Sequence, residues 1–145
     1  MTEAARPETK LQIRIVPVTP LQQNCSLIWD TNTKHAVLVD PGGDVDTLMG
    51  ALDRFGLTLK EMWLTHGHLD HILGLGGLLS TFLRWEAIGE LEIFGGHSAL
   101  DRVHDLLYGV VLRGNPPPMP LRLNEIKPGV IFESDDFTVT AFPVT

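Results

Sequence analysis

His66, His68, Asp70 and His71 fall within six residues, inside the stretch LTHGHLDHILGL that runs from Leu64 to Leu75. Imidazole nitrogens and a carboxylate oxygen form a donor set that suits zinc, and also iron or manganese. The spacing His-x-His-x-Asp-His divides the four. His66 and His68 alternate as they would at an extended strand end, so both would face one metal ion, and Gly67 between them permits a tight approach. Asp70 and His71 are adjacent and diverge, so they would reach a second ion. Two ions about 3.5–4 Å apart share a bridging water and make it hydroxide near neutral pH. The bland alternative is a set of surface loop histidines, but with six histidines in 145 residues so regular a quartet is a poor accident.

The other histidines carry weaker signals. His35 lies at a strand start beside a turn and is expected in solvent. His104 sits between Val103 and Leu106 of a helical pattern and is expected at a surface or boundary. His97 follows LEIFGG at a strand end, on the side of a sheet where a site would form, and reads as a loop or pocket-lining residue ahead of a ligand. Asp40 ends the run VLVD before Pro41-Gly42-Gly43. It reads equally as a carboxylate that orients a metal-bound histidine and as a turn-forming Asp.

The elements around these residues follow from periodicity. LQIRIVPV (11–18), CSLIWD (25–30) and HAVLVD (35–40) read as antiparallel strands, with turn chemistry in TNTK (31–34). Val45, Leu48, Met49, Leu52 and Phe55 recur at helical spacing, with Asp44 as expected cap and Gly56 as stop. EMWLT (61–65) predicts a buried strand aimed at the histidines, and His71–Trp85 a helix loosened by glycines at its start. LEIFGG (91–96) predicts a strand, and 98–112 a helix capped by Ser98. GNPPPMP (114–120) is a loop, and 121–129 and 136–144 alternate like strands. Strands alternating with helices argue for an α/β fold layered around a sheet whose two faces both need covering.

The totals agree with one domain, residues 11–145, behind a loose lead-in at residues 1–10. Hydrophobic residues make up 43 % and charged residues 20 %, the composition of a soluble globular chain. A net charge of −7 argues against non-specific binding to nucleic acid or anionic membrane. No apolar run reaches the roughly 18 residues that span a bilayer. MTEAARPETK lacks a signal-peptide core, and the single cysteine, Cys25, reads as a small buried strand residue. These features point to the cytoplasm.

THGHLDH, with DPGG closing an earlier strand, resembles the metallo-β-lactamase superfamily of hydrolases from about Leu11 onward. The resemblance implies an αββα sandwich, with His66 and His68 on a first metal ion, Asp70 and His71 on a second, and Asp40 as the family's supporting aspartate. VTPLQQNCSLIWD and AVLVDPGGDVDTLMGAL are similar to the glyoxalase II-like thioesterases. ILGLGGLLSTFLR, LEIFGG and IKPGVIFESDDFTVTAFPVT are similar to ribonuclease Z. The change of branch falls close to His71, as in a chimeric chain. The family also needs a further histidine for the first ion, an aspartate bridging both and a last histidine for the second, expected after a strand like FTVTAFPVT. Residues 11–145 are therefore expected to form the first half of the sandwich plus the start of the second. Their dinuclear site would be incomplete, and the half would associate with itself or with a complementing C-terminal half.

The resemblance implies a bridging hydroxide attacking a phosphodiester, at the 3′ end of precursor tRNA, or an acyl-glutathione thioester. Two zinc ions would stabilise the oxyanion, and Asp70 would hold a metal and orient or deprotonate the nucleophile. The competing reading is a non-catalytic metal-binding or self-associating fragment.

Overall fold

A computed structural model describes residues 10–85, 88–117, 119–133 and 137–143. The chain-order elements are β1 (Leu11–Val18), β2 (Gln23–Asp30), β3 (His35–Val39), α1 (Val45–Phe55), β4 (Thr58–Leu64), α2 (Leu69–Ile72), α3 (Gly74–Trp85), β5 (Leu91–Gly95), α4 (His97–His104), a π-helical segment (Asp105–Val111), β6 (Leu121–Glu125), β7 (Gly129–Glu133) and β8 (Thr138–Ala141). Strands β1 to β6 form one sheet in sequence order. The first three pair antiparallel. From β3 onward the pairs are parallel, each return made through a helix. β7 and β8 form a separate antiparallel pair.

Alternation decides which face is buried. Leu27 and Trp29 of β2, Leu38 of β3, Met62 and Leu64 of β4 and Ile93 of β5 all point into one core. α1 seals it with Leu48 and Leu52, and α3 with Leu75, Leu78 and Leu79. Val103 of α4 and Leu107 of the π-helical segment complete it. Trp29 stacks on Phe55 of α1 with ring centroids 5.0 Å apart. Each large apolar side chain taken out of water there contributes about 1.5–3 kcal/mol. The opposite face is polar in part: Trp63 Nε1 donates to Glu61 (2.7 Å) and Asn124 Nδ2 to Glu92 (2.8 Å). Where that face is apolar, at Val39, Trp63 and Phe94, residues Ile131, Ala141 and Phe142 on and beside the β7–β8 pair lie across it and line an open pocket of about 490 Å³. This is the helix-plus-sheet half of an αββα sandwich with two strands of the second sheet, as expected.

Several local expectations differ. The helix expected over 71–85 is broken at Leu73, because the Gly74 N–H leaves the helix and donates to Gly42 O (3.0 Å). Asp44 does precede α1, but its backbone is left-handed (φ 50°) and its side chain makes no cap bond; the carboxylate accepts from Thr19 N–H at 2.6 Å instead. α4 starts at His97 with Gly96, not Ser98, as its cap: Ala99 and Leu100 N–H both donate to Gly96 O (3.1 and 3.0 Å). The helix then widens to π geometry, closed by Leu112 N–H on Leu107 O (2.7 Å), a step of five residues. The run 121–129 is not one strand: β6 stops at Glu125 and β7 begins at Gly129. Residues 1–9 of the expected lead-in, and 136 and 144 of the last expected strand, lie outside the described residues.

Candidate metal centre

Parallel pairing builds the site. Val39 of β3 sits beside Trp63 of β4, and Leu64 beside Gly95 of β5. The carboxyl ends of three strands therefore open on one edge, the usual position for a site on a parallel sheet. Asp40 leaves β3 with φ 52°, a left-handed conformation that Asp tolerates better than most residues. Its N–H donates to Trp63 O (2.9 Å), and its carboxylate meets the end of β4. There Asp40 Oδ1 accepts from Thr65 N–H (2.8 Å), and Oδ2 accepts from Thr65 Oγ1 (2.5 Å).

Glycines let the loops close on one another. A side chain at Gly42 would begin 1.6 Å from Asp70 O, and one at Gly74 would begin 2.5 Å from Gly43 N and Pro41 O. Backbone therefore lies directly on backbone where the Pro41–Gly43 turn meets the histidine loop. On the other side Gly67 faces Ala99 Cα of α4, 3.0 Å from where a Cβ would be, and Arg102 Nη1 donates to Gly67 O (3.0 Å). The tight approach expected at Gly67 is made against this helix.

Asp40, His66 and His71 each place one donor atom within 4.8 Å of the others. The His66 and His71 rings are 3.9 Å apart and the His66 and His68 rings 4.7 Å, edge-on. His71 is held between two carboxylates: Nδ1 lies 3.3 Å from Asp40 Oδ2 and Nε2 3.4 Å from Asp70 Oδ2. His68 precedes α2 in extended conformation and is exposed; Asp70 is in the first turn of α2. His66 and His71 thus converge at the strand ends with Asp40, 6 % exposed, and His68 and Asp70 flank them. Asp40 lies at one nitrogen of His71 and Asp70 at the other. The two imidazoles of His66 and His71 and the buried Asp40 carboxylate, turned to one space, are a donor set that fits a divalent metal ion.

Two residues had no assigned role in the sequence. Gln23, 9 % exposed, donates through Nε2 to Asn24 O (2.8 Å) and Asp40 O (3.0 Å) and lies 3.2 Å from His71 Nδ1. Thr65 Oγ1 stands between Asp40 and His66 Nδ1, which is 2.8 Å away. The available signals were only a glutamine opening a strand and a threonine ending one.

His97 does not join the site. Its side chain is 75 % exposed and lies 3.4 Å from both Asp101 and Glu125. The cavity beside His66 is lined by its neighbours Gly96 and Ser98 but not by His97 itself; two carboxylates on α4 and β6 draw the ring outward. His35 is exposed, and His104 is exposed and stacks on Tyr108 (4.8 Å). Cys25 is buried, and burial first, then the Asp40 charge, pushes its thiol up to about 12. It stays protonated and cannot serve as a nucleophile.

The family model of the metallo-beta-lactamase superfamily matches residues 18–139, and the chain belongs to that superfamily. Hydroxyacylglutathione hydrolase GloC of Haemophilus influenzae is 52 % identical over 62 residues, 43 % of this chain and 29 % of that protein. Ribonuclease Z of a Bradyrhizobium species is 33 % identical over 108 residues, 74 % of this chain and 36 % of that protein. The chain thus spans about a third of the length of these relatives. Among solved structures, BLEG-1 B3 metallo-beta-lactamase superposes with a TM-score of 0.62 at 24 % identity, covering 90 % of this chain and 60 % of that one; this is a likeness of fold. Both branches met in the sequence, thioesterase and ribonuclease, are present among the relatives. No helix among the described residues is long and apolar enough to cross a membrane.

Proposed function

We propose that this chain carries the metal-holding strand ends of a metallohydrolase, with His66 and His68 on one zinc ion and Asp70 and His71 on a second. Iron or manganese satisfies the same donors. The observation that supports this most is the convergence of His66 and His71 over buried Asp40, with Asp70 on the far side of His71. Metal ions bound there supply a nucleophilic water at neutral pH and stabilise negative charge developing on the substrate. The protein's own groups do the rest. Asp40 fixes the His71 ring, Asp70 is placed to accept a proton and orient the attacking group, and Val39, Trp63, Phe94 and Ile131 offer an apolar wall beside His66.

The substrate is a phosphodiester, with precursor tRNA as the natural class if the ribonuclease Z kinship extends to function; that kinship covers 74 % of the chain. The 52 % identity to a hydroxyacylglutathione hydrolase favours a second reading, an acyl-glutathione thioester. The test is hydrolysis of bis(p-nitrophenyl) phosphate and of S-lactoylglutathione, with zinc and with chelator. It is run on this chain alone and mixed with the C-terminal remainder of a longer relative. Chelator-sensitive turnover that His71→Ala abolishes is expected, and the better substrate identifies the class. No chelator-sensitive turnover of either compound in either arm would contradict the hydrolase and leave a metal-binding module.

A further inference from the structure

We infer that Thr65 is a positioning residue: its hydroxyl, committed to Asp40, holds His66 in the tautomer whose Nε2 is bare and available to a metal ion. This rests on the metal-centre reading above but concerns proton placement, which can be observed without any metal.

The inference follows from counting protons. An ionised carboxylate only accepts, so the Thr65 hydroxyl proton is committed to Asp40 Oδ2 (2.5 Å). Toward His66 Nδ1, 2.8 Å away, the same oxygen can then only accept. His66 Nδ1 must carry the hydrogen, and in a neutral imidazole that leaves Nε2 unprotonated.

The buried Asp40 carboxylate therefore acts on His66 through Thr65.

The test compares wild type with Thr65→Val, which keeps the shape and loses the hydroxyl, and Thr65→Ser, which keeps the hydroxyl. In metal-free protein at about pH 8.5, above the ordinary imidazole titration, nitrogen-15 NMR reads which ring nitrogen carries the hydrogen. Zinc affinity is read by competition with a chromophoric chelator, and melting reports the fold. Wild type and Thr65→Ser should show His66 protonated at Nδ1. Thr65→Val should lose that state at His66, with zinc affinity down about 10–100-fold, the usual cost of losing a ligand's supporting partner. Full recovery in Thr65→Ser supports the relay. An Nε2-protonated His66 in wild type overturns it, even if Thr65→Val does not fold. So does an unchanged His66 in Thr65→Val, or an equal loss of affinity in Thr65→Ser. Failure of the hydrolysis assays alone leaves the NMR result standing, so the two proposals fail separately.

Discussion

Asp40 occupies a conformation that most side chains avoid, φ 52° at a strand end, at a cost on the order of 1–2 kcal/mol. The return is a carboxylate with both oxygens engaged, by Thr65 and His71. Its charge is also felt one strand away. Cys25 is held at about 12 by burial and by Asp40, while an unfolded thiol titrates near 8.5. The folded value is the higher, so the stability tied to the neutral thiol is full below about pH 8.5 and is lost as pH rises toward 12. Urea midpoints of wild type should fall more steeply than those of Cys25→Ala between about pH 9 and 11, and parallel slopes would refute the shift. At this scale His66 and His71 stood out in the sequence as chelating residues, and the structure brings them together with Asp40. Gln23 and Thr65 did not stand out, because a polar residue at a strand end has many ordinary roles. Their meaning appears only when β4 pairs with β3 and brings Thr65 against a residue 25 positions away.

The Pro41–Gly43 turn acts as a wedge between strand and helix. Asp70 O lies 1.6 Å from the place of a Gly42 side chain, and neither partner there is a flexible side chain that can swing away. Gly42→Ala should therefore destabilise by about 1–3 kcal/mol or more, read from urea unfolding. Gly50→Ala, in open space on α1, should be neutral or mildly stabilising. Equal effects at the two positions would show that the loops do not rest on each other. The same contact explains why a single helix over 71–85 was the natural sequence reading and is not the structure. Periodicity in HILGLGGLLSTFL reports the core-facing side, but not that Gly74 must turn its N–H to Gly42. The helix starts were misplaced for a related reason. Asp44 and Ser98 have the right chemistry for caps, yet the Asp44 carboxylate is taken by Thr19 and the Gly96 carbonyl already receives the first turn of α4.

Across the whole chain, one apolar core runs from Val18 to Met119 and draws on residues both before and after His71. Residues before and after His71 therefore pack as one body, with no boundary in the core near His71. Composition and strand–helix alternation were enough to foresee this layer. They could not foresee that, among the described residues, the second face is covered near the site by the β7–β8 pair over Trp63 and Phe94, because a sheet face that is half polar and half apolar leaves no distinct period. The metal centre at the strand ends is tested most directly by counting zinc ions that survive dialysis on wild type and on a His66→Ala, His71→Ala double variant. Wild type should retain zinc at micromolar free metal and release it to chelator, and the double variant should retain none while melting as a folded protein. No retained zinc on wild type, or equal zinc on the double variant, would contradict a metal centre built on these histidines.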